Sequence, residues 1–239
     1  MIARALPVAL AALAIAAGGP LYLALDRAHR LPLPLCDRPW PLELSCTALA
    51  LASLVLALRS RRPRRALAAA CLAVAATLGF SVGVRAWRPE LPPAMRLSSP
   101  ERLASAVLVD ERGARATLRT LAGHPTVLAF FRGAYCPYCR EQLGALGRVA
   151  AWAERGGVRI VAVSPDPPEA AAALRRELGL DLAVLSDPDE EAVTAACGTL
   201  SHCLLLLDAT ARVRWALATE SWSALPAPET LVRAAYRLR

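Results

Sequence analysis

The chain has 239 residues, 56% of them hydrophobic, and a formal net charge of +8 at pH 7. The positive charge belongs to residues 1–96, which hold 12 Arg and 4 acidic residues, whereas residues 97–239 hold 16 of each. Because the basic excess coincides with the most apolar part of the chain, and the remainder is neutral, this distribution argues against a nucleic-acid-binding protein. The length suits one large domain or two small ones.

Three uncharged stretches in the N-terminal part are typical of membrane-spanning helices, which need about 20 apolar residues. They cover residues 5–25, 44–58 and 66–84. The second is short, and it requires a locally thinned bilayer or a snorkelling Arg59. The first also fits a cleavable signal peptide, because a basic start precedes an apolar run with small residues. We therefore predict an all-α membrane region of two to three helices over residues 1–84, with the lipid bilayer as its partner.

The expected orientation follows from the loop at residues 59–65, which carries five Arg in seven residues. Short, strongly basic loops stay on the cytoplasmic side of a membrane. The third stretch then runs outward, so we predict a multi-pass protein of the cell membrane whose C-terminal domain lies on the extracytoplasmic side. Cys36 and Cys46 then lie on that same side. They are expected to form a structural disulfide, to act as a redox pair that relays electrons to the active site, or to remain two free thiols. Cys71 lies within an apolar stretch and is expected to be free.

Residues 85–105 are rich in Pro and poorly periodic, which predicts a stiff linker before a domain of residues 106–239. In that domain, stretches with the periodicity of strands alternate with stretches that have the periodicity of helices. The expected elements are a hairpin over 106–118, a strand at 126–131, a helix from 137 to 156, a strand at 158–164, a helix ending at 178, a strand at 182–185, a helix over 187–197, a hairpin over 203–218 and a helix at 228–238. This order predicts an α/β three-layer sandwich.

The most informative stretch is residues 127–139, VLAFFRGAYCPYC, in which a buried strand leads to a helix that opens on Cys-Pro-Tyr-Cys. A thiol at a helix N-terminus is held as the reactive thiolate, because the free N–H groups and the helix dipole stabilise negative charge. Pro137 suits the first helical position, since it has no N–H to leave unpaired. We therefore expect Cys136 to be the exposed attacking thiol. Cys139, one turn on and facing inward, is expected to close a disulfide with it.

Three neighbours are candidate supporting residues. Arg132 and Arg140 bracket the motif, and a cation near Cys136 would stabilise its thiolate. The alternative for each arginine is a solvated surface charge. Tyr138, between the two cysteines, is expected to tune the redox potential through packing and access, or else to be an exposed loop aromatic.

Residues 130–143, FFRGAYCPYCREQL, resemble the active-site stretch of the alkyl hydroperoxide reductase and thiol-specific antioxidant family, in its peroxiredoxin-like redoxin branch. The later runs VRIVAVSPDPPE and VLSDPDEEAV resemble that family in the same order and spacing. The similarity covers about residues 100–220. It implies a thioredoxin-like fold with Cys136 as the attacking thiol.

Two positions depart from the family pattern. Typical peroxiredoxins have Thr or Ser three residues before the attacking cysteine, where this chain has Gly133. Peroxiredoxins also have an Arg, and thioredoxin-like reductases a cis-Pro, at the position that His202 occupies before the late strand. That segment passes beside the active-site cysteines in this fold, so the resemblance makes His202 a candidate to hydrogen-bond or charge-stabilise the Cys136 thiolate. The alternative is a solvent-exposed loop histidine. Both departures weigh against fast peroxide turnover.

Cys197 and Cys203 are candidates for a second disulfide that braces the loop around His202, or for a resolving thiol. Together with Cys136, Cys139 and His202 they supply enough ligands for zinc, although zinc pairs usually have two to four intervening residues. Cys136, Cys139 and His202 alone make a soft-ligand set for Cu(I). A copper-binding thioredoxin-fold assembly factor is therefore the alternative function.

The sequence thus predicts a membrane-anchored, thiol-dependent oxidoreductase with no organic cofactor or metal. Cys136 attacks a hydroperoxide, which gives a sulfenic acid, or a disulfide, which gives a mixed disulfide. Cys139 then closes the disulfide with Cys136, and an unidentified thiol reductant reopens it. Nucleic acid is not an expected partner.

Overall fold

The structure, a computed structural model, describes residues 90–198, 202–221 and 224–239, together with scattered residues between 21 and 82. The chain divides into two compact units, Met1–Pro89 and Glu90–Arg239. The second unit contains the Cys-Pro-Tyr-Cys motif and all the strands described below.

In the first unit, most of the three stretches predicted to span a membrane lies outside the described residues, as do Cys36 and Cys46. Described helical residues of this unit with exposed large apolar side chains are Leu21, Leu51, Val55, Leu78 and Val82. Among the described residues, no helix is both long and apolar enough to cross a bilayer. Cys71 is exposed and carries a free thiol.

A seven-stranded mixed sheet forms the centre of the second unit. Its strands are β1 (Leu108–Val109), β2 (Arg115–Ala116), β3 (Thr126–Phe130), β4 (Arg159–Ser164), β5 (Ala183–Ser186), β6 (His202–Leu207) and β7 (Val213–Thr219). They lie in the order β2-β1-β5-β4-β3-β6-β7. Strands β5, β4 and β3 are parallel, and every other neighbouring pair is antiparallel. Strand β3, which leads to the cysteines, is therefore central, and its five residues are all buried.

Helices cover both faces of this sheet, which confirms the predicted α/β three-layer architecture. They are α1 (Pro100–Ser105), α2 (Pro137–Arg155), α3 (Pro168–Glu177), α4 (Glu191–Cys197) and α5 (Pro228–Tyr236), with a 3-10 helix at Leu118–Leu121. Side chains alternate between the faces along each strand. Phe130 and Cys203 belong to the core under α1 and α4. Helix α2 packs against α5 and β4, and α5 packs against β3 and β6, on the opposite face.

Part of the expected linker belongs to the second unit. Within residues 90–105, the Met95 N–H donates a 2.9 Å hydrogen bond to the carbonyl of Ala216 on β7, and α1 packs against α4. Leu103 is buried in the core, and Met95 packs against it. The prediction of a linker is wrong for this part, because a few well-placed apolar side chains bind the segment to the domain without a regular periodicity.

Helix α4 begins at Glu191, four residues later than predicted. The chain turns at Glu190, whose φ is +53°. The buried carboxylate of Asp187 still caps the helix, because it accepts hydrogen bonds from the N–H groups of Ala192 at 3.2 Å and Val193 at 2.9 Å. Burial raises the pKa of Asp187, and these N–H groups oppose that rise. Asp187 therefore caps the helix from outside it, since Glu190 occupies the N-cap position, and the predicted start at residue 187 is wrong.

We expect Asp187→Ala to lower the free energy of unfolding by about 1–2 kcal/mol, because two helix N–H groups lose their acceptor. Urea denaturation of the full chain, followed by circular dichroism, measures the change. Asp189→Ala is the matched control, since Asp189 is exposed and surface substitutions usually change stability by less than about 0.5 kcal/mol. Equal effects of the two substitutions would contradict the capping role.

Candidate active site

The end of β3 delivers the cysteines to the start of α2. The Phe131 N–H donates to the Val163 carbonyl at 3.0 Å, which extends the pairing with β4 by one residue. Gly133 then turns the chain with a φ of +135°, a conformation that other residues rarely adopt. The Cys136 N–H donates to the Gly133 carbonyl at 3.2 Å and closes the turn. Pro137 is the first residue of α2, as the sequence predicts.

Cys136 is the N-cap of α2, and its Sγ accepts a 3.4 Å hydrogen bond from the N–H of Cys139. This donor stabilises negative charge on the Cys136 sulfur. The prediction that Cys136 is exposed is wrong, because only 8% of it is accessible. Its sulfur turns inward to the helix N–H rather than outward to solvent. Both thiols are free, so the pair is in its reduced form.

Cys139 lies in a different environment from Cys136, although they are one helical turn apart. Cys139 is fully buried, and its pKa is raised to about 12, mainly by this burial. A hydrogen bond with the Cys136 side chain contributes to this rise in pKa, whereas a backbone hydrogen bond from Arg132 opposes it. Cys139 is therefore a thiol at neutral pH. The asymmetry suits a pair in which Cys136 attacks first.

Asp166 positions the loop before Cys136, a role that the sequence analysis did not identify. Its Oδ2 accepts hydrogen bonds from the Ala134 N–H at 2.7 Å and from the Ser164 hydroxyl at 2.5 Å. Its Oδ1 lies 3.2 Å from the place where a side chain at Gly133 would begin. The available signal was a short polar Ser-Pro-Asp turn directly after the buried strand β4, where a side chain can reach the neighbouring loop.

Four of the predicted supporting residues lie at the mouth of the site. Arg132 and Pro137 are exposed, as is Tyr138. Arg140 pairs with Glu177 of α3 and donates to the Ala134 carbonyl at 3.4 Å, so it ties the loop to α3. Tyr135, which the sequence analysis did not single out, is also exposed and folds its ring over Gly133.

His202 begins β6 and is buried, which contradicts the interpretation as a solvent-exposed loop residue. Burial lowers its pKa, the nearby charge of Arg132 lowers it further, and Glu220 opposes both. The structure therefore brings His202 close to Arg132, which contacts Cys139. Its Nδ1 is buried and has no hydrogen-bond partner among the described residues.

Cys197 and Cys203 form a disulfide between the end of α4 and the start of β6, with their Cα atoms 6.1 Å apart. Both sulfurs belong to the core beneath α4, on the face of the sheet opposite α2. This arrangement separates them from Cys136 and Cys139, whereas a shared zinc site would require the sulfurs to converge on one ion. In the described part of the chain, no group of three or more His, Cys, Asp or Glu side chains is placed to hold a metal ion.

Comparisons with known proteins point to one family. The family model described as "AhpC/TSA family" matches residues 100–213. Two Mycobacterium tuberculosis relatives, each described as a candidate peroxiredoxin, are 31% identical over 100 residues, which cover 42% of this chain. The chain spans 64% of the length of these relatives.

Solved structures show the same fold. Peroxiredoxin Q of Xanthomonas campestris superposes with a TM-score of 0.51 at 21% identity, and the match covers 60% of this chain and 96% of that chain. A structure of the bacterioferritin comigratory protein of the same organism superposes with a TM-score of 0.50 at 21% identity. The match covers 61% of this chain and 98% of that chain. These similarities confirm the thioredoxin-like α/β fold of the second unit.

We expect Gly133→Ala to destabilise the chain and to slow the reaction of Cys136. The required φ of +135° costs other residues about 1–3 kcal/mol, and the new Cβ would lie 2.8 Å from the Tyr135 ring. Thermal unfolding and the rate of alkylation of Cys136 measure the two effects.

Gly123→Ala is the matched control, because Gly123 also has a positive φ, of +103°, but its added Cβ meets nothing within 4 Å. We expect this control to lose stability without a change at Cys136. An alkylation rate that falls equally in both variants would contradict a local role for Gly133.

Proposed function

We propose that this chain is a thiol-dependent oxidoreductase of the AhpC/TSA type in which Cys136 attacks and Cys139 resolves. The observation that carries the proposal is the asymmetric pair at the start of α2, where the Cys139 N–H donates to the Cys136 sulfur and the Cys139 thiol is buried. The match of residues 100–213 to the AhpC/TSA family supports the same chemistry.

In the proposed reaction, the Cys136 thiolate attacks one oxygen of a hydroperoxide. The O–O bond breaks, the sulfur is oxidised to a sulfenic acid, and the released alkoxide or hydroxide takes up a proton. Cys139 then attacks the Cys136 sulfur, and water leaves as the disulfide forms. Two thiol groups of an unidentified reductant reopen this disulfide and are themselves oxidised. No organic cofactor or metal enters these steps.

Hydroperoxide and protein disulfide are the two candidate substrates for Cys136. The family similarity favours a hydroperoxide. The spacing of two residues between the cysteines, and Gly133 at the place of a peroxide-orienting hydroxyl, favour a disulfide. In a disulfide reaction, Cys136 forms a mixed disulfide with one substrate sulfur and releases the other as a thiol. Cys139 resolves the intermediate in either case.

Rapid oxidation of the reduced full chain distinguishes these substrates. If a hydroperoxide is the substrate, Cys136 reacts with hydrogen peroxide on the order of 100-fold or more faster than a free cysteine, since one well-placed donor at the transition state supplies that much. Quenched samples, followed by mass spectrometry of the peptide that contains both cysteines, give the rate.

Two variants complete this test. Cys136→Ser should abolish the oxidation, and Cys139→Ser should accumulate a sulfenic acid that dimedone traps. A rate for Cys136 no greater than that of a free thiol would eliminate the peroxidase, and the same assay with a small disulfide would then decide for disulfide exchange. Cys136→Ser that reacts like the wild type with both substrates would overturn the proposed function.

The proposal includes a membrane anchor, with the second unit on the extracytoplasmic side. Three uncharged stretches and the Arg-rich loop at residues 59–65 support it. The five exposed apolar side chains of the first unit are at least half accessible, at 50–65%, which suits an apolar surrounding. The Cys197–Cys203 disulfide suits an oxidising compartment outside the cytoplasm.

Reporter fusions at the C-terminus test this orientation in a bacterial host. We expect alkaline phosphatase, which is active only outside the cytoplasm, to be active on the full chain and to sediment with membranes after a carbonate wash. Replacement of the five Arg of residues 59–65 by Gln should reduce that activity, because the basic loop sets the topology. Fusion activity confined to a cytoplasmic reporter would contradict the orientation, and recovery in the soluble fraction would contradict the anchor.

A further inference from the structure

The resolving step at Cys139 requires a proton acceptor. Its thiol is fully buried and stays protonated at neutral pH, whereas the thiolate is the form that attacks sulfur. Of the hydrogen-bond partners of Cys139, the backbone N–H of Arg132 is a donor and cannot accept a proton. The other partner, Cys136, has lost its thiolate by the time this step begins, because its sulfur has been oxidised. The acceptor must therefore be another group.

His202 lies on the face of the sheet that carries Cys139. Adjacent residues on a strand point to opposite faces, and Cys203, the next residue, belongs to the core under α4. The register pairs Phe130 with Cys203. Continued by one residue, it sets His202 opposite Phe131, directly before Arg132. His202 and Cys139 thus both adjoin the Arg132 segment, one across the sheet and the other through a backbone hydrogen bond.

The His202 side chain is in the right state to accept a proton. It is only 5% exposed, and its Nδ1 is buried without a hydrogen-bond partner among the described residues. A buried polar atom without a partner costs stability, so a native structure that retains one calls for an explanation. Burial and the charge of Arg132 keep the imidazole neutral, whereas Glu220 opposes this. A neutral imidazole has a free lone pair, as a proton acceptor requires.

Two carboxylates near the site are engaged elsewhere, and a third, Glu220, acts on His202 itself. Asp166 accepts hydrogen bonds from Ala134 and Ser164 in holding the loop, at 2.7 and 2.5 Å. Glu177 is paired with Arg140 on the outer side of α2. In the part of the chain that the structure describes, His202 is the buried imidazole next to the Arg132 segment, and it therefore fits the role best.

Building on the proposed function, we propose that His202 accepts the proton of Cys139 when that thiol attacks oxidised Cys136. The S–H proton moves to the imidazole, and an S–S bond forms between the two cysteines. The Cys139 sulfur is oxidised and the Cys136 sulfur is reduced. The S–O bond of the sulfenic acid breaks, and the leaving hydroxide takes the proton from the imidazolium as water. With a mixed disulfide, the leaving thiolate takes this proton instead.

The test separates the two steps in the full chain, purified in detergent. Reduced protein is mixed with one equivalent of hydrogen peroxide or of a small disulfide, whichever oxidises Cys136 in the wild type. Loss of the Cys136 thiol and appearance of the Cys136–Cys139 disulfide are followed separately by rapid quenching and mass spectrometry. In His202→Ala we expect the first step to change little and the second to slow on the order of 100-fold, the lower range for a lost general base.

Two readouts distinguish proton transfer from a structural role. Added imidazole should restore the second step in His202→Ala, since it fills the space and supplies the base. In the wild type, the rate of the second step should rise with pH as His202 loses its proton and then level off. Arg132 and Glu220 are the charged groups that act on His202, and Arg132 also adjoins Cys139. In His202→Ala, the rate of the second step should keep rising with the hydroxide concentration. His202→Gln, which keeps the size but not the basicity, should behave like His202→Ala.

His124→Ala is the matched control, because His124 is an exposed histidine before β3 at the opposite end of that strand from the cysteines. It should leave both steps unchanged. An unchanged second step in His202→Ala overturns the proposal, and so does equal slowing of both steps without rescue by imidazole. A wild type in which neither oxidant oxidises Cys136 overturns the proposed function itself, and this inference with it.

Discussion

The burial of β3 between β4 and β6 is the constraint on which the candidate site depends. All five residues of β3 pair with both neighbours and are shielded from solvent. A strand held on both edges and both faces cannot shift, so the loop that leaves it is positioned accurately. The hydrogen bond from Phe131 to Val163 carries that order one residue further, to the turn at Gly133. The cysteines thus begin a helix whose origin is set by the sheet.

This placement gives two identical side chains different chemistry. The Cys136 sulfur accepts a hydrogen bond from an N–H of the first helical turn, while Cys139 lies one turn deeper, against the core. The first environment gives the sulfur a hydrogen-bond donor, and the second raises the pKa of the thiol through burial. In the proposed reaction, the order in which the two cysteines act therefore follows from their depth along one helix. The deeper thiol is protected while it waits, but the same burial means that it cannot act until a neighbour takes its proton.

The parts of this arrangement that local patterns encode could be predicted from the sequence. The apolar run before the motif defines the strand. The helix is defined by Pro137 at its start and by Gly156 and Gly157 at its end. Contacts between distant segments could not be predicted, because no local pattern records them. Asp166 contacts a loop 32 residues earlier in the chain. The burial of His202 likewise depends on the register between β3 and β6, and the burial of Cys136 on the direction of a single side chain.

The two faces of β6 join structural and redox roles at adjacent residues. Cys203 faces α4, where its disulfide with Cys197 ties the start of the strand to that helix. His202, one residue earlier, must then face α2. The disulfide therefore limits the movement of the histidine without touching it. A compartment that keeps this disulfide formed would also oxidise the Cys136–Cys139 pair. Cys197 and Cys203 are 3% and 1% accessible, against 8% for Cys136, so a reducing thiol has better access to Cys136 than to the structural disulfide. One reductant can therefore act on Cys136 and Cys139 and leave the brace of His202 intact.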